Sequence, residues 1–293
     1  MNKPVYKTSK PKPRRLLLDA LDTRWKNYLA EISRCRVEFS NDAVHDLRVA
    51  TRRILALIQL LNSILTGSSL EKLPRAFKRQ LDEFDHLRDT QVILDELSRI
   101  LPKFPQLQDF QNHLLSAEEG MLRDLHRKLE RRETSDVTRG ILRTHESITA
   151  EIDIDLEARI LQAVDDAYLL TRMRLGWVDI SQPDTIHRVR VAFKAFRYMV
   201  EIVHPMLGNY PAGNLKKMNT YQTLMGEIQD AEVFACTLAD YSGNSSLPNP
   251  EPVHCYCEER RSKSISAFAD AMDRLHDFWR PASDRPYPWE KVR

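Results

Sequence analysis

The chain has 293 residues, 42% of them hydrophobic, and its 44 lysines and arginines nearly balance 42 aspartates and glutamates for a formal net charge of +2. The hydrophobic share is enough for a buried core and excludes a disordered chain; the charge balance excludes a uniformly basic nucleic-acid coat. No run approaches 18 consecutive apolar residues and the opening MNKPVYKTSKPKPRR has no apolar stretch, so neither a membrane span nor export is expected, and the cytoplasm is the expected compartment.

Only 8 glycines, apolar residues at a period near 3.6 and no run of alternating β-branched residues predict an all-α fold. KTSKPKPRR reads as a loose basic arm, followed by helices over about 15–38, 42–65, 70–100 and 106–133. A second set follows over about 155–178, 184–206, 212–241 and 251–280, and PASDRPYPWEKVR reads as a tail without helix potential. The breaks fall at TGSS (66–69), LPKFP (101–105), TSD (134–136), ISQPD (180–184), LGNYPAGN (207–214) and YSGNSSLPNPEP (241–252). Cys35, Cys236, Cys255 and Cys257 form no regular framework and are expected as reduced thiols. Cys255 and Cys257 flank a single residue beside His254, closer than a structural zinc site prefers, and no second ligand pair accompanies them, so no metal is expected.

The two sets of helices are copies. Sliding the chain by 142 residues lays AVHDLRVATRRILALIQLLNSIL (43–65) over TIHRVRVAFKAFRYMVEIVHPML (185–207), matching His45 with His187, Arg48 with Arg190 and Arg52 with Lys194. At an offset of 141, FDHLRDTQVILDEL (84–97) lies over MGEIQDAEVFACTL (225–238), matching Asp89 with Asp230. The expected organisation is a half over 12–140 and a half over 146–282, together one domain, with the second helices near a pseudo-twofold axis.

On a helical wheel with His187 at zero, Arg190, Lys194 and Arg197 fall near 300°, 340° and 280°, a basic arc about 80° wide that borders the apolar face. His45, Arg48 and Arg52 repeat the arc, but Leu55 stands in the fourth place and Arg53 lies near 80°, outside it. Like charges about 6 Å apart repel by roughly 3 kcal/mol at an effective dielectric of about 20, so the crowding needs compensation. Arg197 has Glu201 four residues on, whereas elsewhere the residues four positions along are mostly apolar. One reading is a set of solvated cations paired with nearby acids. The repetition favours another, an anion lying across both stripes, since Arg forks and Lys hold phosphate oxygens and an anion raises the pKa of His. Two stripes of this length suit a linear polyanion better than a single phosphate. Arg75, Lys78, Arg79, Arg88 and Lys216 on the third helices are further candidate contacts, with Arg14, Arg123, Arg127 and Arg260 weaker ones.

Enzymatic readings are poorer. His45-Asp46 reads as the dipeptide of a metal-dependent phosphohydrolase, but the second copy has His187-Arg188, so Asp46 is not part of the repeated unit. Asp89 and Asp230 are repeated acids expected to orient an Arg of the neighbouring stripe in preference to acting as general bases. Neither a nucleophile with a base nor a Gly-rich phosphate loop accompanies them.

VHDLRVATRR, IHRVRVAFKAFRYMVE, LRDTQV and LMGEIQDAEV, taken in this order, resemble the paired signatures of the CHAD family, the conserved histidine α-helical domain, over about residues 12–280. The resemblance implies two pseudo-symmetric four-helix bundles around a basic central cleft, binding of inorganic polyphosphate, association with polyphosphate granules, and polyphosphate-metabolising enzymes as candidate partners. It assigns phosphate contacts to His45, Arg48, Arg52, Arg53, His187, Arg190, Lys194 and Arg197, with Tyr198 and Glu201 as supports. The N-terminal ExExK signature of the triphosphate tunnel domain that accompanies many relatives is not found, so a stand-alone binding domain without a cofactor or catalytic role is expected. A phosphohydrolase and a scaffold docking on protein or nucleic acid remain the alternatives.

Overall fold

A computed structural model of the protein describes residues 11–65, 70, 72–151, 154–244 and 247–290, and among these it is all-α. The beginning of the basic arm (residues 7–10), the TGSS break at 66–69 and residues 245–246 of the break at 241–252 lie outside the described residues.

α1 (Pro13–Glu38) opens on a proline, whose fixed φ and missing N–H suit a first turn, and closes where Phe39 turns left-handed and its N–H bonds the Cys35 carbonyl at 3.1 Å. α2 (Asn41–Ile64) is capped by the Ser40 hydroxyl, which accepts from the Ala43 N–H at 3.2 Å. α3 (Lys72–Ile100) leads through a 3-10 turn at Pro105–Leu107 into α4 (Gln108–Glu130). The second set comprises α6 (Leu156–Leu175), α7 (Pro183–Val203), α8 (Asn214–Asn244) and α9 (Glu251–Ala269). In each set successive helices pack on one another.

Between the sets lies a helix that the repeat does not contain. α5 (Ser135–Ala150) runs through the interval 140–146 where the two halves were expected to join, and packs on α1 and α3 through buried Ile141, Thr144 and Ile148. The fourth helix of the second half also ends earlier than expected, at Ala269, and passes into a 3-10 segment, Met272–Asp277.

α2 and α7 are the two most deeply seated helices. Val44, Leu47, Ile54, Leu57, Ile58 and Leu61 of α2 have no solvent exposure, and neither do Ile186, Val189, Phe193, Phe196, Val200 and Val203 of α7. Each packs on neighbours from its own half and on the other across the seam, while α3 meets α8 alongside. A single apolar cluster runs through both halves, from Leu17 of α1 to Trp279. A second, built from Ile93, Leu97, Phe104 and Phe110 with Phe234, Leu238 and Val253, ties the α3–α4 corner to the α8–α9 corner. The halves thus share their cores instead of owning separate ones, which fixes the register of the stripes on α2 and α7. Among the described residues no helix is long and apolar enough to cross a membrane.

The C-terminal end, from Trp279 and Arg280 into the segment 281–290 that was expected as a tail without helix potential, is docked, and that segment holds a short 3-10 turn and no α-helix. Trp279 is fully buried against Phe196 and donates its indole N–H to Asp165 at 2.7 Å; Arg280 grips both oxygens of the same carboxylate at 2.9 and 2.7 Å. Tyr287 stacks on Trp289, whose indole N–H reaches the Gly208 carbonyl at 3.2 Å. These contacts carry no helical period, because prolines and short 3-10 turns set them, and periodicity therefore cannot reveal them. Trp279→Ala is expected to lower the unfolding free energy in urea by roughly 3–5 kcal/mol, the usual loss for emptying an aromatic core site; a loss below about 1 kcal/mol would show the tail to be peripheral.

Candidate functional site

Arg48 and Arg52 sit one turn apart on α2, and Arg190 and Lys194 sit one turn apart on α7. Because each stripe borders the apolar face, packing α2 against α7 carries both stripes into the seam. Arg48 is buried, and the other three are half-buried. The electrostatics register the meeting. Burial first, then the charges of Arg48 and Arg190, pull the Arg52 guanidinium down to about 10. Burial first, then Arg190, Arg52 and Arg48, pull the Lys194 ammonium down to about 6, with Asp85 opposing them. Lys194 is therefore mostly neutral at pH 7.

Compensation by the chain's own acids is sparse. Arg48 donates to Asp85 Oδ1 at 2.8 Å and to the Leu81 carbonyl at 3.2 Å, both on α3. Among the described residues it is the one member of the four with a carboxylate in ion-pair range, and the Nε of Arg190 is buried with no hydrogen-bond partner. Asp89 and Asp230 were expected to orient arginines; Asp230, Asp89 and Asp85 all stabilise the Arg190 cation through space, yet among the described residues none reaches it within hydrogen-bond distance. Burial raises the carboxyl pKa of both Asp89 and Asp230; for Asp89 the charge of Asp85 adds to the rise, and for Asp230 Arg190, Arg260 and Arg88 oppose it.

One end of the seam is better neutralised. Glu201 of α7 takes Arg53 of α2 at 3.4 Å and Arg197 of its own helix at 3.7 Å, and it also stabilises the half-buried Arg24 cation of α1. Arg197 donates to Gln222 of α8 at 2.9 Å and lies 4.4 Å from the centre of the Tyr198 ring. Arg53 and Arg197 are thus held by a carboxylate.

A family model described as CHAD domain matches residues 18–239. The chain belongs to the CHAD family. It overlays on the crystal structure of the CHAD domain from the plant Ricinus communis with a TM-score of 0.66 at 16% identity, covering 91% of each chain, which shows a common fold. No curated protein matches it.

This CHAD chain does not gather every residue that its sequence nominates. His187 is exposed and lines a groove of about 590 Å³ between α7 and α8, its Nδ1 hydrogen-bonded to Gln229. His45 is exposed on the second turn of α2. Arg88 joins the group opposite Asp230, as does Arg260. Arg75 and Arg79 instead line a separate groove of about 790 Å³ with Lys72, Lys128, Arg131 and Arg132. Lys78 and Lys216 are exposed, and Arg14 bonds the Glu151 carbonyl at the α1–α5 contact. Asp46 takes Arg34 at 2.7 Å, and among the described residues no three His, Cys, Asp or Glu side chains are grouped to hold a metal. Asp85 and Arg24 were missed. Asp85 lies one turn before Asp89 on α3 and so shares its face, which is the signal that could have found it.

A lysine held neutral when folded and charged when unfolded makes folding release a proton. Stability from this group therefore rises with pH between about 6 and 10.5, and is lost as pH falls. Lys194→Met is expected to raise the melting temperature by at least about 2 °C at pH 7, and the gap should narrow towards pH 10. Melting curves across that range check this; a gap that stays constant would contradict a depressed Lys194.

Proposed function

We propose that this CHAD chain binds inorganic polyphosphate along the α2–α7 seam, as a binding protein and not a catalyst. The observation that carries the reading is the convergence of Arg48, Arg52, Arg190 and Lys194 from two helices with, among the described residues, one carboxylate in ion-pair range of the four. Guanidinium forks donate to phosphate oxygens in pairs, and a chain of closely spaced anionic groups supplies several at once, so each cation receives a counterion without any being moved. His45 and His187, one turn before the arginines, extend the stripes towards the open end and are the outer contacts in this reading. Arg53 and Arg197 serve a linear polyanion less, because Glu201 already engages them.

In the cell such a protein would hold or decorate polyphosphate, on granules or beside the enzymes that make and consume it, and the cytoplasm is the compartment that the reading requires. Polyphosphate affinity measured against salt concentration tests it. By analogy with nucleic acids, each neutralised phosphate contributes about 0.7–0.9 to the negative log–log slope, so four contacts predict a slope near −3. Arg190→Ala with Lys194→Ala is expected to flatten the slope by about 1.5 and to weaken binding at least about 100-fold at low salt. Unchanged affinity in the double variant would remove the site from the seam. Phosphate release from the chain on adding a divalent cation would replace the binding protein with a phosphohydrolase.

A further inference from the structure

The two stripes are copies, but their surroundings are not. The alignment that matches Arg48 with Arg190 and Asp89 with Asp230 also sets Asp85 opposite Gly226. In the first half the Asp85 carboxylate closes on the Arg48 guanidinium at 2.8 Å, and the Arg48 side chain is only 5% exposed. In the second half the corresponding place on α8 has no side chain. A methyl group on Gly226 would lie 3.8 Å from Arg190 Nε and 4.0 Å from its Nη2, with no other heavy atom within 4 Å apart from the helix itself and adjacent residues. A carboxylate one bond beyond that methyl would fall within reach of the guanidinium. Arg190 instead keeps its buried Nε without a hydrogen-bond partner.

We propose that the seam holds one open seat for a phosphoryl oxyanion, beside Arg190 over Gly226, and that the chain fills the equivalent place in the first half with its own Asp85. The inference rests on the polyphosphate reading and deepens it. Asp85 acts as an internal counterion that keeps Arg48 in place and competes with the ligand for it. Gly226 does the reverse: the absence of a side chain leaves the buried donor of Arg190 for an oxygen of the bound chain. A phosphoryl oxygen meets that need better than a planar ring or an apolar group, because an unpaired buried N–H is relieved by an acceptor, and most strongly by an anionic one. The duplicated site is thus asymmetric, entered from the α7–α8 side.

The test exchanges the two residues. Gly226→Asp gives Arg190 its own carboxylate and is expected to weaken long-chain polyphosphate at least 10-fold while raising the melting temperature in phosphate-free buffer; Gly226→Ala, whose methyl fills part of the seat without a counter-charge, should weaken binding by a clearly smaller factor and leave the ligand-free melting temperature without that rise. Asp85→Asn should melt lower without ligand, since Arg48 loses its partner, and bind polyphosphate several-fold more tightly with a larger ligand-induced rise in melting temperature. Wild-type binding that Gly226→Asp does not weaken, or that Gly226→Ala weakens equally, overturns the seat while leaving polyphosphate binding in place. A wild type that binds no polyphosphate overturns the functional reading, and the seat with it.

Discussion

The structure depends on a cost that it keeps: like charges brought together where water is scarce. Moving a cation out of water is unfavourable, and placing others beside it adds repulsion that the lower dielectric strengthens. Lys194 absorbs much of that cost by giving up its proton, and Arg48 meets it with Asp85. Arg52 and Arg190 do neither. Their charges persist because a guanidinium holds its proton even when its pKa is lowered, which makes arginine the residue able to keep charge at such a place.

The rest of the fold is what makes this arrangement rigid. A seam between two independent bundles would relax by sliding apart and admitting water. Here one apolar cluster passes through both halves and a second closes the corner between α3–α4 and α8–α9, so separating the stripes would open two cores at once. The docked tail adds Trp279 against Phe196, on the same helix that carries Arg190 and Lys194. Interior packing holds the cations in position in the unliganded chain, so an anion bound as proposed would meet groups whose conformational entropy has already been lost.

Most of the helices and both stripes were legible from the residues, for one reason: each helix writes its buried face into the sequence at 3.6-residue spacing, and the duplication writes it twice. Features outside the repeat were harder to see. α5 has Val137, Ile141, Thr144 and Ile148 on one face but no counterpart in the second half, so the comparison of copies passes over it. Asp85 is hidden for the same reason, since a search for what the halves share discards a position where one has a carboxylate and the other a glycine. Arg24 reaches the Glu201 cluster from α1, a long-range placement that no local pattern encodes. The exposed basic residues Arg75, Arg79, Lys78 and Lys216 were nominated by alignment or proximity in sequence, yet the helix faces that carry them point elsewhere.

The central claim is that an anion completes the charge at this seam, and the number of protons taken up on binding tests it most directly. Calorimetric titration of the protein with polyphosphate at pH 7.5, in buffers of different ionisation enthalpy, gives that number. The account predicts an uptake approaching one proton per occupied seam, because Lys194 is mostly neutral beforehand and a neighbouring anion favours its charged form. In Lys194→Met the uptake should vanish. Binding with no proton uptake by the wild type, or with the same uptake in both proteins, would contradict the account.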